Sequence, residues 1–207
     1  MATRIKICGI TRGQDAVVAA ELGAHAVGLM FYEDSPRFVS LDKAREVIEV
    51  LPPFITRVGV FVNPEDQQVH AILDELSLDL LQFHGDEPPQ FCAQFGLPYI
   101  KAVRVKKGKD LLQYASRYRD AKGLLLDAHY ERSYGGTGEA FDWSLIPDNL
   151  PLPIILSGGL NAANVARAIR QVRPWAVDVS SGVESAKGIK DAAKIAAFIK
   201  EACDADV

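Results

Sequence analysis

The chain has 207 residues, 48% of them hydrophobic and 24% charged, with a formal net charge of −4. That is the balance of a globular protein large enough for one substantial core. The charge argues against a sequence-independent nucleic-acid binder, which needs a basic face, and no stretch approaches the ~20 uncharged apolar residues of a transmembrane helix.

The three cysteines, Cys8, Cys92 and Cys203, have no CxxC spacing, so neither a disulfide framework nor a zinc ribbon is expected and a reducing compartment fits. The start, MATRIKICGITRGQD, has no apolar signal-peptide core, and cytoplasm is the expected location. In chain order the apolar runs are Ile5–Ile10, Ala26–Phe31, Arg57–Val62, Leu78–Phe83, Tyr99–Val105, Gly123–Ala128, Pro153–Leu156 and Ala176–Val179. Most are continuous rather than alternating, as in parallel strands covered on both faces. Amphipathic stretches lie between them. Ser40 caps a helical stripe of Ala44, Val47, Ile48 and Leu51. Asn63 is expected to cap the next helix, with Pro64 in its first turn and Glu65 and Asp66 at its positive end. Leu111–Tyr118 has the weakest helical pattern. Asn161 and Asn164 flank the start of Val165–Val172, and Lys187–Ala202 reads as a long final helix.

Eight strand–helix units predict a closed (βα)8 TIM barrel, one α/β domain over residues 1–207, rather than an open sheet. The length is near the low end for such a barrel, so loops must be short and at least one helix reduced. The loops after the second run, 32–39, and after the sixth, 128–140, break that economy and are expected to bind substrate or act as lids.

A barrel gathers its strand C-termini at one mouth. Gly158–Gly159 after run seven and Ser180–Ser181–Gly182 after run eight are placed to cradle a phosphate with backbone N–H groups. Cys8 is either a small core residue or a reactive thiol at the mouth. Asp127 ends an apolar strand, where it must be paired or open to the mouth. Arg37 is a solvated loop residue or an inward planar fork. His84 is a structural histidine or a substrate contact, and Asp178 an interior residue that orients its neighbours. There is no Walker A loop, GxGxxG, HExxH or GxSxG, and the four histidines show no ligand pairing on one helix. No metal and no cofactor are expected, and the reading is acid–base chemistry on a phosphosugar.

Lys6-Ile-Cys-Gly-Ile-Thr11, Ser35-Pro-Arg37, Leu81-Gln-Phe-His-Gly85, Leu126-Asp-Ala128 with Gly135-Gly-Thr-Gly138, Ser157-Gly-Gly-Leu160, and Asp178-Val-Ser-Ser-Gly-Val-Glu184 with Gly188-Ile-Lys-Asp191 occur in order along nearly the whole chain. Together they resemble the phosphoribosylanthranilate isomerase family of tryptophan biosynthesis. Phe83 and Ser157 depart from that family's usual Leu and Ala, at positions expected not to touch the chemistry. The resemblance implies a cofactor-free Amadori rearrangement of a phosphosugar with Cys8 as general base, Asp127 as general acid and Arg37 as the anthranilate contact. It implies a phosphate end held by Gly158, Gly159, Ser180, Ser181 and Gly182. Another phosphosugar barrel or a catalytically silent binding barrel are the alternatives. Monomer and homodimer stay open.

Overall fold

The computed structural model describes residues 2–128 and 141–205; the rest of the loop 128–140, expected to bind substrate or act as a lid, lies outside them. Eight parallel strands close on themselves in chain order: β1 (Arg4–Cys8), β2 (Ala26–Met30), β3 (Thr56–Phe61), β4 (Leu80–Phe83), β5 (Tyr99–Val105), β6 (Leu124–Ala128), β7 (Ile154–Leu156) and β8 (Ala176–Val179). The closing pair sets Arg4 beside Ala176 and Lys6 beside Asp178, so the first and last strands meet directly.

The period of two along each strand divides the protein into two cores. Residues facing inward fill the barrel in layers: Ile100, Ala102, Leu125, Ile155 and Ala176 form one, and Cys8, Val58 and Val60 another, with Met30 packed against it. The outward residues, including Ile5, Ile7, Leu29, Leu124 and Leu126, pack under the helices. Phe83 belongs to this outer core, its ring 5.8 Å from both Phe91 and Phe95 and 6.0 Å from Phe61. It is a structural residue, as its position in the motif suggested.

The helices are α1 (Gly13–Glu21), α2 (Leu41–Glu49), α3 (Asp66–Glu75), α4 (Pro89–Ala93), α5 (Leu111–Arg117), α6 (Val165–Val172) and α7 (Ala192–Asp204). Ser40 caps α2 by accepting from the Lys43 amide. The weak α5 pattern is a helix, capped by Asp110 through the Gln113 amide and held by buried Leu111 and Ala115. After β6 the described residues carry only a 3-10 turn, Trp143–Leu145.

Two local expectations are corrected. Asn63 does not cap α3, whose N-cap is Glu65. Asn63 adopts φ +45°, and its side-chain oxygen accepts from the Asp86 amide at 2.6 Å, tying the β3 loop to the β4 loop. Asn164 stands at the N-cap of α6 without capping it; its side chain bonds back to the Asn161 amide and to the Gly159 carbonyl. Lys187–Ala202 is not one helix. Glu184–Ala186 and Ile189–Lys190 form a short antiparallel ribbon, β9 and β10, around Gly188 at φ +77°. The helix starts at Ala192, where Asp191 accepts from the Lys194 amide.

Candidate active site

A cavity of about 260 Å³ opens at the C-terminal ends of the strands. Its walls include Cys8, Arg37, Gln82, His84, Asp127, Ser157, Gly158, Gly159, Asp178, Ser180 and Ser181. Of the predicted site residues, Gly182 alone is not in this lining. A Cβ there would meet the Leu160 carbonyl oxygen at 2.0 Å, so Gly182 lets the β8 loop lie against the β7 loop. Gly158 and Gly159 both have positive φ. The Asn161 and Asn164 amides both reach the Gly159 carbonyl, fixing that loop. The helix after β7 begins only at Val165, so the glycine pair does not lead straight into a helix N-terminus.

On one side of the mouth stands the acidic group. The Asp127 carboxyl accepts from the Ala128 amide at 2.8 Å through Oδ1, and its Oδ2 lies 3.0 Å from His84 Nε2. Gln82 Nε2 lies 3.0 Å from His84 Nδ1. With the amide donating there, Nδ1 accepts and the Nε2–H points at Asp127. His84 is therefore neither a buried spacer nor a bystander; it is bonded to the carboxyl group.

On the other side stands the thiol. Cys8 ends β1 and is 6% exposed. Burial pushes its thiol above the ordinary cysteine range, the Lys6 ammonium pulls it back, and Asp178 pushes it up. Lys6, two residues earlier on the same inward face, bonds Asp178 Oδ1 at 2.7 Å. Burial alone would lower the Lys6 pKa, but Asp178 and Cys8 hold it above the ordinary lysine range, so it stays charged. Ser157 donates to the other Asp178 oxygen at 3.3 Å. Ser157 was expected to stand clear of the chemistry; it supports the carboxylate that holds Lys6.

Arg37 is not a solvated loop residue. It is buried, and its Nε and Nη2 grip Glu184 at 2.8 and 2.7 Å. Lys190 bonds the same carboxylate at 2.8 Å and the Ser180 carbonyl at 3.1 Å. Two cations thus share one buried anion, and of the three only Arg37 is among the cavity walls. Sequence reasoning missed Lys6, Gln82, Glu184 and Lys190. The available signal was the two-residue spacing Lys6/Cys8, Gln82/His84 and Asp178/Ser180, polar residues on the inward face of otherwise apolar strands. Among the described residues, no group of three or more His, Cys, Asp or Glu side chains is gathered as a metal would need, and no helix is long and apolar enough to cross a membrane.

Fold and site together define a (βα)8-barrel enzyme, with a thiol and a carboxyl group among the walls of one cavity at the strand ends. Residues 5–201 match the family model described as N-(5′-phosphoribosyl)anthranilate isomerase, and the chain belongs to that family. The protein of that name from Nitrosospira multiformis is 62% identical over 200 residues, covering 97% of this chain and 96% of its own. The crystal structure of phosphoribosyl anthranilate isomerase from Thermotoga maritima superposes with a TM-score of 0.88 at 44% identity, covering 97% of this chain and 98% of the other. A further structure, 43% identical with a TM-score of 0.84 and covering 97% and 98%, is of this isomerase in complex with reduced 1-(o-carboxyphenylamino)-1-deoxyribulose 5-phosphate.

Proposed function

We infer that the chain converts N-(5′-phosphoribosyl)anthranilate into 1-(2-carboxyphenylamino)-1-deoxyribulose 5-phosphate, the isomerase step of tryptophan biosynthesis. The observation that carries the residue roles is the pairing of Cys8 and Asp127 as walls of one cavity at the barrel mouth.

Asp127 delivers a proton to the furanose ring oxygen. The C1–O bond breaks, and the lone pair of the anthranilate nitrogen forms the C1=N iminium. His84 holds that carboxyl group in place, its Nε2 lying 3.0 Å from Asp127 Oδ2. Cys8, as thiolate, then takes the proton from C2. Electrons move into C1=C2 and neutralise the iminium, giving an enolamine that tautomerises to the ketone. Each transfer is general acid–base catalysis by a positioned group, typically contributing 10²–10⁴-fold. The phosphate end rests on the loops at Gly158–Gly159 and Ser180–Ser181, and the carboxylate of the anthranilate faces Arg37. These remote contacts hold the reacting carbons between acid and base.

The test is turnover of N-(5′-phosphoribosyl)anthranilate, generated in situ because it is labile, by the wild-type chain, Cys8→Ala and Asp127→Asn. Each variant should lose roughly 10²–10⁴ in kcat, with product affinity kept within about tenfold. A variant retaining more than about a tenth of kcat would remove its residue from the role.

A further inference from the structure

Gly28 is the position on β2 that pairs with Cys8 on β1. A Cβ built on Gly28 would lie 2.8 Å from Cys8 Sγ and 3.1 Å from Lys6 Nζ. The thiol and the ammonium therefore crowd the same point inside the barrel, and the missing side chain is what gives them room. Lys6 also bonds Asp178, its in-register partner on β8, at 2.7 Å. The ammonium thus stands next to both a carboxylate and a thiol. Lys6 is buried, so its charge is poorly screened and acts strongly on whatever stands beside it.

We propose that Lys6 is the positioning residue for the proton-abstracting thiol: it is the counter-ion that lets Cys8 ionise inside the barrel, and Asp178 sets how much of its charge Cys8 feels. This rests on the reading of Cys8 as the base, and it adds the device that makes a buried cysteine usable. Without a cation, a thiol in this layer, beside Val58, Val60 and Met30, would keep its proton, because an apolar environment disfavours the thiolate. With Lys6 beside it, the proton leaves to solvent and the thiolate–ammonium pair remains. When Cys8 takes the substrate proton it becomes neutral, and Lys6 falls back on Asp178. The ammonium thus always has a partner, and the cycle does not strand a buried charge.

The charged groups that face Cys8 come from four elements. Lys6 lies on β1 itself and Asp178 on β8; Lys190 faces it from the ribbon. Arg37 faces it from the loop after β2, while Gly28 and Met30 on β2 carry no charge. Lys190 and Arg37 are bound to Glu184, which offsets part of their charge. Lys6 and Asp178 are therefore the pair whose removal should show most at the thiol, and their effects carry opposite signs.

That sign difference is the test. The pH dependence of iodoacetamide alkylation is followed peptide by peptide by mass spectrometry in the intact chain, with exposed Cys203 as internal reference. Asp178→Asn frees Lys6 for the thiol, so the Cys8 midpoint should fall and its alkylation at pH 7 should quicken. Lys6→Met should raise the midpoint by at least one unit and slow alkylation at pH 7 at least tenfold. If Lys6→Met, which leaves Asp178 unpaired, does not fold, Lys6→Met with Asp178→Asn replaces it and is compared with Asp178→Asn alone. Lys6→Arg should restore part of the reactivity. Midpoints that move together in the two single variants, or coincide between the double variant and Asp178→Asn, would overturn the proposal. The alkylation needs no substrate, so it fails or succeeds independently of the turnover assay. In turnover, loss of Lys6 should appear in kcat and in the acid limb of its pH profile, with KM nearly unchanged.

Discussion

The protein buries a lysine, a carboxylate and a cysteine together twice, to different ends. At the mouth, Lys6 stands between Asp178 and Cys8. Outside the barrel, under α4 and α5, Lys101 is fully buried and stands near Glu87 and Cys92. There the ammonium is saturated: it donates to Glu87 at 3.0 Å and to the carbonyls of Gly85, Phe83 and Ala102 at 2.7, 3.2 and 3.3 Å. Glu87 is equally occupied, accepting from the amides of Asn63 and Gly85. Cys92 is left with a long contact to the Glu87 carbonyl, and burial pushes its thiol up to about 12. A lysine whose donors all face carbonyls and a carboxylate is a staple. A lysine with one carboxylate and one thiol has charge to lend. The difference lies in the number of acceptors each ammonium meets, since both are buried and both have a carboxylate.

The comparison breaks most visibly at the outer cluster. Lys101→Met leaves Glu87 buried without its cation and should cost about 3–5 kcal/mol of stability, read from denaturant unfolding. The alkylation profile of Cys8 in the folded variant should not move. A movement there would mean that the two clusters are not separate. A smaller effect sharpens the picture of the mouth. Burial alone would raise the Glu184 pKa, but Arg37 and Lys190 hold it below the ordinary glutamate value of 4.5. A carboxylate with a lowered folded-state pKa contributes stability that is complete above the unfolded value and lost as pH falls through the folded one. Glu184→Gln should therefore cost about 1.5–3 kcal/mol at neutral pH, and the gap to wild type should close below about pH 4. A gap that persists in acid would assign the loss to packing rather than charge. Smallest is the effect of inorganic phosphate. At ten times its Kd it should stabilise the fold by about 1.4 kcal/mol, visible as a rising melting temperature. Gly159→Val should abolish that rise, while Lys101→Met should keep it.

The barrel was legible because most of its strands are short, continuous apolar runs, and a strand covered on both faces has no other pattern to offer. Cys8, Asp127, Arg37 and the glycine–serine segments were legible as motif residues at run ends. What was not legible has two physical causes. The second strand of the ribbon, Ile189–Lys190, was read as the start of a helix because Lys187–Ala202 has helical spacing. The fold is instead decided by Gly188 at positive φ and by the Asp191 cap, whose effect outweighs pattern in the residues before it. Lys6 and Gln82 were passed over because a lone polar residue in an apolar run looks like an edge or an error until closure shows which face points inward. Lys6 is bonded to a residue 172 positions away, and no local window contains both.

That separation has a consequence for how the protein comes into being on the ribosome. Thr11 bonds the Gly188 carbonyl, Asp15 accepts from the Lys190 amide, Arg37 grips Glu184 and Lys6 holds Asp178. Every one of these contacts joins a residue between Lys6 and Arg37 to one between Asp178 and Lys190. A nascent chain thus carries its thiol long before it has the carboxylate partners of its buried cations. Chemistry at the mouth waits for the ribbon to be made, and a product truncated before residue 178 would hold Lys6 and Arg37 inside a barrel that cannot close around them.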